Sequence, residues 1–68
     1  MATVTVMLRL PQVQARTGLS RSQIYQLIAD GEFPRQVKLS ERAAGWVADD
    51  VEAWLTQRIR ASRFAAAA

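Results

Sequence analysis

The sequence predicts a small, mainly α-helical domain with one β-hairpin, in the order strand, helix, helix, hairpin, helix. Apolar residues recur at spacings of three and four in two segments, 24–28 and 51–59, as they do on helix faces. Gly18 closes a short helical segment just before the first of these, and two extended runs lie between them. The 68 residues allow one domain. We expect it to span 1–64, with the alanines 65–68 as a disordered tail.

The first predicted elements are a short strand and a short helix. Thr3 to Leu8 alternate roughly between polar and apolar residues and include several β-branched ones, which is typical of a strand. Pro11 suits the start of a helix, because its missing N–H would be unpaired there anyway. The predicted helix runs from Pro11 to Gly18, with Val13 inward and Gly18 ending it at positive φ.

The second predicted helix runs from Ser20 to Asp30 and buries one face. Ser20 is a good N-cap, and Gln23 three residues later completes a capping-box pattern. Gly31 stops the helix, and Pro34 prevents its continuation. Three apolar residues share its buried face: Ile24, Leu27 and Ile28. The remaining surface of the helix carries Arg21, Ser22, Tyr25 and Gln26.

A hairpin and a third helix complete the predicted fold. Two extended runs, 36–39 and 44–47, flank a turn segment and predict the hairpin. The third helix begins near Ala48, and its charged residues would complement the helix dipole. The acidic ones at its start are Asp49, Asp50 and Glu52, and the basic ones near its end are Arg58, Arg60 and Arg63. We expect its apolar stripe to pack in the core with Trp46; the stripe is Val51, Trp54, Leu55 and Ile59.

The composition excludes several classes of function. The chain has no cysteine and no histidine, which removes thiolate and imidazole metal ligands and the usual proton shuttle. We therefore expect no metal, no cofactor, no small-molecule substrate and no enzymatic activity. No run of about 18 apolar residues predicts a membrane span. The first ten residues lack signal-peptide features, so we expect a cytoplasmic protein.

Four of the nine basic residues lie on the second predicted helix and in the hairpin region. Nine Lys or Arg against six Asp or Glu give a formal charge of +3. Arg21 begins the second helix, and the hairpin region carries Arg35, Lys38 and Arg42. Basic residues gathered on one face are the electrostatic footprint of nucleic-acid binding.

Together these elements predict a winged helix-turn-helix that binds double-stranded DNA. The second helix of a helix-turn-helix enters the major groove, where Arg pairs with guanine and Gln with adenine. A basic hairpin beside it is a wing, here 36–47, which would follow the phosphate backbone or insert Arg42 into the minor groove. The predicted DNA-contact residues are Ser20, Arg21, Ser22, Tyr25, Gln26, Arg35, Lys38 and Arg42.

Three segments, LSRSQIYQLI, GEFP and GWVADDVEAWL, carry a family resemblance. The stretch from Leu8 to Leu55 resembles the AlpA family of small phage-type transcriptional regulators, which are similar to excisionases and to the DNA-binding head of MerR regulators. The resemblance implies a MerR/excisionase-like winged helix-turn-helix, a phage or mobile-element origin, and a wing from Lys38 to Gly45. It also implies that the DNA-facing helix presents Arg21, Ser22, Tyr25 and Gln26. Two departures, Gln26 and Val47, replace frequent basic residues and lower the expected phosphate affinity.

Several alternatives stay open at this point. An excisionase-like recombination directionality factor would need the same DNA contacts as a transcriptional regulator. A protein-interaction adaptor would use the same surface for a partner and would bind DNA only as a generic polycation. Tyr25 either contacts DNA or packs against the wing or the first helix. Because one module offers few base contacts, we expect self-association on DNA, as a dimer or as tandem copies.

Overall fold

The computed structural model describes residues 5–67, with side chains through residue 65. Within that range the chain forms a winged helix-turn-helix of three helices and a three-stranded antiparallel sheet. The elements are β1 (Met7–Leu8), α1 (Leu10–Thr17), α2 (Arg21–Ala29), β2 (Val37–Ser40), β3 (Ala43–Val47) and α3 (Ala48–Ala67). The predicted fold class and element order are confirmed. None of these helices combines the length and apolar character that a membrane crossing requires.

β1 is shorter than the predicted strand. Residues 1–4 lie outside the described range, and pairing is limited to Met7 with Val47 and Leu8 with Trp46. The prediction was wrong at Thr5 and Val6, because the central strand β3 ends at Val47 and turns directly into α3. Only one further bond forms there, from the Ala48 N–H to the Val6 carbonyl at 2.8 Å.

The turn between α1 and α2 depends on Gly18. This residue has φ 72°, a left-handed conformation that glycine adopts without strain. Its N–H donates to the Gln14 carbonyl at 2.8 Å and closes α1. Pro11 occupies the first helical turn as predicted, although the helix begins one residue earlier, at Leu10. Val13 is fully buried on the inner face of α1, also as predicted.

A second left-handed glycine, Gly31, ends α2. Asp30 is the C-cap, and Gly31 follows with φ 74°. The Glu32 N–H donates to the Leu27 carbonyl at 2.8 Å, and the Gly31 N–H donates to the Ile28 carbonyl at 3.0 Å. This pair of bonds is a Schellman motif, which turns the chain sharply at the helix end.

Six residues form the buried core: Leu8, Val13, Ile24, Phe33, Trp46 and Val51. Leu27, Ile28, Trp54 and Leu55 pack against it and are partly buried. Sequence periodicity missed Phe33, which is 5% exposed although it lies outside any helix or strand. Its ring meets the Trp54 ring edge-on, with centroids 4.8 Å apart.

Two tryptophans fix the segment that joins α2 to the wing. The Trp54 Nε1–H donates to the Glu32 carbonyl at 2.6 Å, and the Trp46 Nε1–H donates to the Pro34 carbonyl at 3.0 Å. These two carbonyls flank the buried Phe33. We call residues 31–34 the clamped turn, since both its backbone and its central side chain are held by the core.

The predicted hairpin is confirmed, with β2 paired to β3 and an irregularity between Lys38 and Ser40. Val37 lies opposite Gly45, and Lys38 lies opposite Ala44. Gly45 is buried, and a Cβ there would lie 3.0 Å from the Leu8 carbonyl oxygen. Only glycine therefore fits at this point of the sheet without a shift.

α3 begins at Ala48 as expected but extends well beyond the core. Ile59 is 48% exposed, so its predicted place in the packed stripe was wrong. The core ends before Ile59, which helical periodicity alone could not indicate. The helix continues through Ala67, and its last turn contains no basic residue, which corrects the expected dipole role of the arginines. Ala68 lies outside the described residues, and the disordered tail at 65–68 stays a prediction.

Candidate nucleic-acid interface

The start of α2 is fixed by a reciprocal capping box. The Gln23 N–H donates to the Ser20 hydroxyl oxygen at 3.2 Å, and the Ser20 N–H donates to Gln23 Oε1 at 2.8 Å. These bonds satisfy two of the four N–H groups that a helix leaves unpaired at its N-terminus. Ser20 therefore acts as the cap that the sequence predicts, and Arg21 and Ser22 lie exposed in the first turn.

Arg21, Tyr25 and Trp46 form a continuous chain of contacts from α2 to the sheet. The Arg21 Cζ lies 5.7 Å from the centroid of the Tyr25 ring, a cation–π arrangement. The Tyr25 ring meets the Trp46 ring edge-on at 6.5 Å. Tyr25 thus packs against the wing and still leaves 38% of its surface exposed. Packing against the wing and contacting DNA are therefore compatible roles for Tyr25, because the ring packs on Trp46 and part of the residue remains exposed to solvent.

Gln26 lies on the other flank of α2 and is bonded within the helix. Its Nε2 donates to both carboxylate oxygens of Asp30, at 3.2 and 3.4 Å. Because a carboxylate only accepts, the amide nitrogen must face Asp30, and Oε1 remains free as an acceptor. Ser22 and Gln26 border a shallow depression that includes Leu19 and Leu27. Ser22 and Gln26 thus lie on one flank of α2, and Arg21 and Tyr25 lie on the neighbouring flank.

Three cations predicted for the wing come together beside α2. Arg35, Lys38 and Arg42 line one open cleft together with one acidic residue, Glu41, and Ile28 borders the cleft from the last turn of α2. Lys38 points to the sheet face that carries Trp46, because it lies opposite Ala44 and side chains alternate along a strand. The structure therefore brings the wing cations to the side of the sheet on which Tyr25 packs.

The ion pairs of the described chain lie elsewhere. Arg16 pairs with Glu52 and joins α1 to α3, and Arg58 approaches Glu32 at 4.0 Å and joins α3 to the clamped turn. Neither pair uses a cation of α2 or of the wing. The positive charges of the candidate interface are therefore not neutralised by these two pairs.

Sequence reasoning missed two residues that shape this surface. Phe33 anchors the clamped turn, and the only signal was an aromatic residue in a loop between Gly31 and Pro34. Asp30 orients Gln26, and its i, i+4 spacing from Gln26 was visible in the sequence. The eight predicted residues are all exposed, but they occupy two flanks of α2 and the cleft rather than one continuous row.

Comparison with known proteins places the chain in a family. The family model described as "Prophage CP4-57 regulatory protein (AlpA)" matches residues 6–59. The chain belongs to the AlpA family. The match covers the sheet, α1, α2 and the packed part of α3, so it includes every element that shapes the candidate interface.

The chain is also similar to two known proteins. The chain is 50% identical to the uncharacterized protein ORF88 of Enterobacteria phage P4 over 52 residues, which cover 76% of this chain and 59% of that protein. It is 34% identical to the DNA-binding transcriptional activator AlpA of Escherichia coli K12 over 59 residues, covering 78% of this chain and 84% of that protein. The matched part thus spans less than two thirds of the phage relative.

Proposed function

We propose that this AlpA-family protein is a sequence-specific double-stranded DNA-binding transcriptional regulator. α2 enters the major groove, and the wing contacts the neighbouring backbone or minor groove. The observation that carries the proposal is the exposed face of α2 beside a cleft whose charged lining is three cations and one carboxylate. The name of the Escherichia coli relative, a DNA-binding transcriptional activator, supports the same function.

Arg21 is the residue best suited to read a base. The Tyr25 ring supports its guanidinium, which limits the side-chain freedom that must be lost on binding. A planar guanidinium held in this way can donate two hydrogen bonds to the O6 and N7 atoms of guanine. Arg21 therefore provides specificity for one guanine.

Gln26 is the second base-reading residue. A bidentate contact to adenine needs its Nε2, which must first leave Asp30. An exposed i, i+4 bond of this kind contributes only about 0.2–0.5 kcal/mol, so the rearrangement is easily compensated. Ser22 lies on the same flank and donates to a base or a phosphate.

Arg35, Lys38 and Arg42 provide the contribution that is independent of sequence. Each cation that contacts a phosphate releases counterions, so the logarithm of affinity falls as the logarithm of salt concentration rises. With about three or four such contacts, the slope should be roughly −3 to −4. Arg21 adds to this set when it also contacts the backbone.

The proposal is tested by selecting bound fragments from a host genome and measuring affinity by fluorescence anisotropy. We expect the selected fragment to bind about a thousandfold more tightly than a scrambled fragment at about 0.15 M salt. Equal affinity for the two fragments would contradict sequence-specific binding and support an adaptor that docks proteins.

The positions of the selected fragments test the regulatory role. Fragments at promoters whose transcripts change on deletion of the gene support transcriptional control. Fragments confined to recombination attachment sites, with unchanged transcripts, would contradict it and support an excisionase-like factor. Both outcomes retain the same α2 and wing contacts.

A further inference from the structure

The second half of α3 leaves the body of the domain. All residues from Thr56 to Ala65 are exposed, and Ile59 retains 48% of its surface. Most helices in proteins are stabilised by packing an apolar face against another element. In the described chain this half of α3 buries no such face, so its large apolar residues, Ile59 and the 80% exposed Phe64, are available to a partner.

Charge is distributed unequally along α3. Its first turn is acidic at Asp49 and Asp50, and Arg60 and Arg63 follow in the exposed half. The two ion pairs within residues 5–67 use Glu52 and Arg58. The helix therefore presents negative charge at one end and positive charge at the other. Two copies of α3 in antiparallel orientation would place opposite charges side by side.

Five residues of α3 share one side of the helix. Asp49, Thr56 and Arg63 are separated by seven residues each, and an α-helix drifts only about 20° over seven residues. Ala53 and Ile59 lie three residues to either side of Thr56. We call these five residues the α3 seam. Its outer part, Arg63, lies beyond the range that the AlpA family model matches.

We propose that the α3 seam pairs with the α3 seam of a second copy in antiparallel orientation. With the two Thr56 residues at the two-fold axis, Asp49 of each copy lies level with Arg63 of the other. Each Ile59 then packs on the Ala53 of the other copy. A parallel arrangement would oppose like charges, so electrostatics selects the antiparallel one.

The size of this interface determines its behaviour. The small side chains of Ala53 and Thr56 allow the helix axes to approach to about 8–10 Å. One helix per copy buries less than the roughly 800 Å² per partner of a standard stable interface. Pairing in solution is therefore weak and depends on concentration. It becomes stronger when two copies are held close together on one DNA molecule.

Charge reversal tests the pairing on the full chain in solution, without DNA. Sedimentation equilibrium over a range of protein concentrations gives the dissociation constant of the wild type and of Asp49→Arg, Arg63→Asp and the double variant. Each single variant opposes like charges twice per dimer, so we expect the dissociation constant to rise about tenfold or more. The double variant restores opposite charges and should return to the wild-type value.

The rescue separates pairing from helix stability. Asp49→Arg is unfavourable to the α3 dipole, and Arg63→Asp, outside the last turn, does not offset this, so a loss of helix stability would persist in the double variant instead of cancelling. Glu41→Arg is the matched control, because it makes the same charge change at the exposed wing tip. A wild type that stays monomeric at all concentrations, or single variants that pair as wild type does, would overturn the proposal.

A cross-link at the two-fold axis gives an independent readout. The chain has no cysteine, so Thr56→Cys introduces a unique thiol. Two copies paired through the seam bring these thiols within disulfide distance, whereas Gln57→Cys, about 100° around the helix, does not. We expect oxidation to link Thr56→Cys efficiently and Gln57→Cys poorly. Equal linking of both variants would contradict the seam.

DNA binding by the Arg63→Asp variant gives a further check. If this variant binds DNA less well while its mass in solution is unchanged, Arg63 is a DNA contact and the pairing proposal is contradicted.

Discussion

The clamped turn and the proposed DNA-facing surface, which carries Arg21, Ser22, Tyr25 and Gln26, are close in sequence and opposite in character. In the clamped turn, two indole N–H groups hold the carbonyls of Glu32 and Pro34, and Phe33 is almost fully buried. On the proposed DNA-facing surface, Ser22 and Gln26 are exposed, and the Gln26 amide nitrogen is bonded to the Asp30 carboxylate at the long distances of 3.2 and 3.4 Å. In the clamped turn, hydrogen-bonding groups are paired within the protein. On the surface of α2, polar side chains remain accessible to a binding partner.

This difference separates stability from recognition. A substitution in the clamped turn should change the free energy of unfolding, and DNA binding should change only as a consequence. A substitution on the DNA-facing surface should change the free energy of binding and leave unfolding almost unaffected. The four variants below test that separation.

Phe33→Ala should have the largest effect. Truncating a buried Phe costs about 3–5 kcal/mol in the free energy of unfolding, a large share of the stability of a small domain. Urea denaturation followed by circular dichroism measures the loss. Phe64→Ala is the matched control, because Phe64 is 80% exposed and its loss should stay within about 0.5 kcal/mol. Similar losses for both variants would contradict the anchoring role of Phe33.

Arg21→Ala should weaken binding to the preferred site by about 1–3 kcal/mol and relax base preference at one position. The free energy of unfolding should change by less than about 0.5 kcal/mol, since Arg21 is exposed. Anisotropy titrations against single-base variants of the site measure both effects. An equal loss on every sequence would show that Arg21 contacts only phosphate.

Ser20→Ala should lower the free energy of unfolding by about 1 kcal/mol, because the Gln23 N–H loses its cap. Ser22→Ala, two positions along the same turn, is the control and should stay within about 0.5 kcal/mol. Thermal melting compares the two variants. If Ser20→Ala melts as wild type does, the capping box does not stabilise α2.

Arg42→Ala should have the smallest effect, a uniform loss of affinity for all sequences. The slope of log affinity against log salt should become shallower by about 1. Arg9→Ala, which removes an exposed cation outside the proposed interface, should leave the slope as it is. An unchanged slope for Arg42→Ala would remove that residue from the interface.

The parts of the fold set by local periodicity and capping were predictable from the sequence. Ile24 and Val51 are buried, and Gly18 and Gly31 end their helices with positive φ, as the pattern indicates. Ile59 continues the same periodicity and is nevertheless exposed. Periodicity defines a helix face, whereas the length of that face that is covered depends on the rest of the domain.

Long-range contacts explain what the sequence could not provide. Phe33 lies in a loop, and its burial depends on Trp54, which follows much later in the chain. The packing of Tyr25 on Trp46 also depends on how the wing folds back beside α2. The polar residues of α2 could be assigned to its outer side, but the cleft that the wing cations form beside α2 required the packed structure.

The single buried residue of α2 has a further consequence. Ile24 is its only fully buried side chain, the capping box at Ser20 sets its start, and Gly31 follows its end. Replacing Ser22, Gln26 and Ala29 together would remove little packing, because all three are exposed. A combinatorial library at these three positions should therefore remain folded while its members diverge in preferred target, which makes this small scaffold suitable for reprogramming.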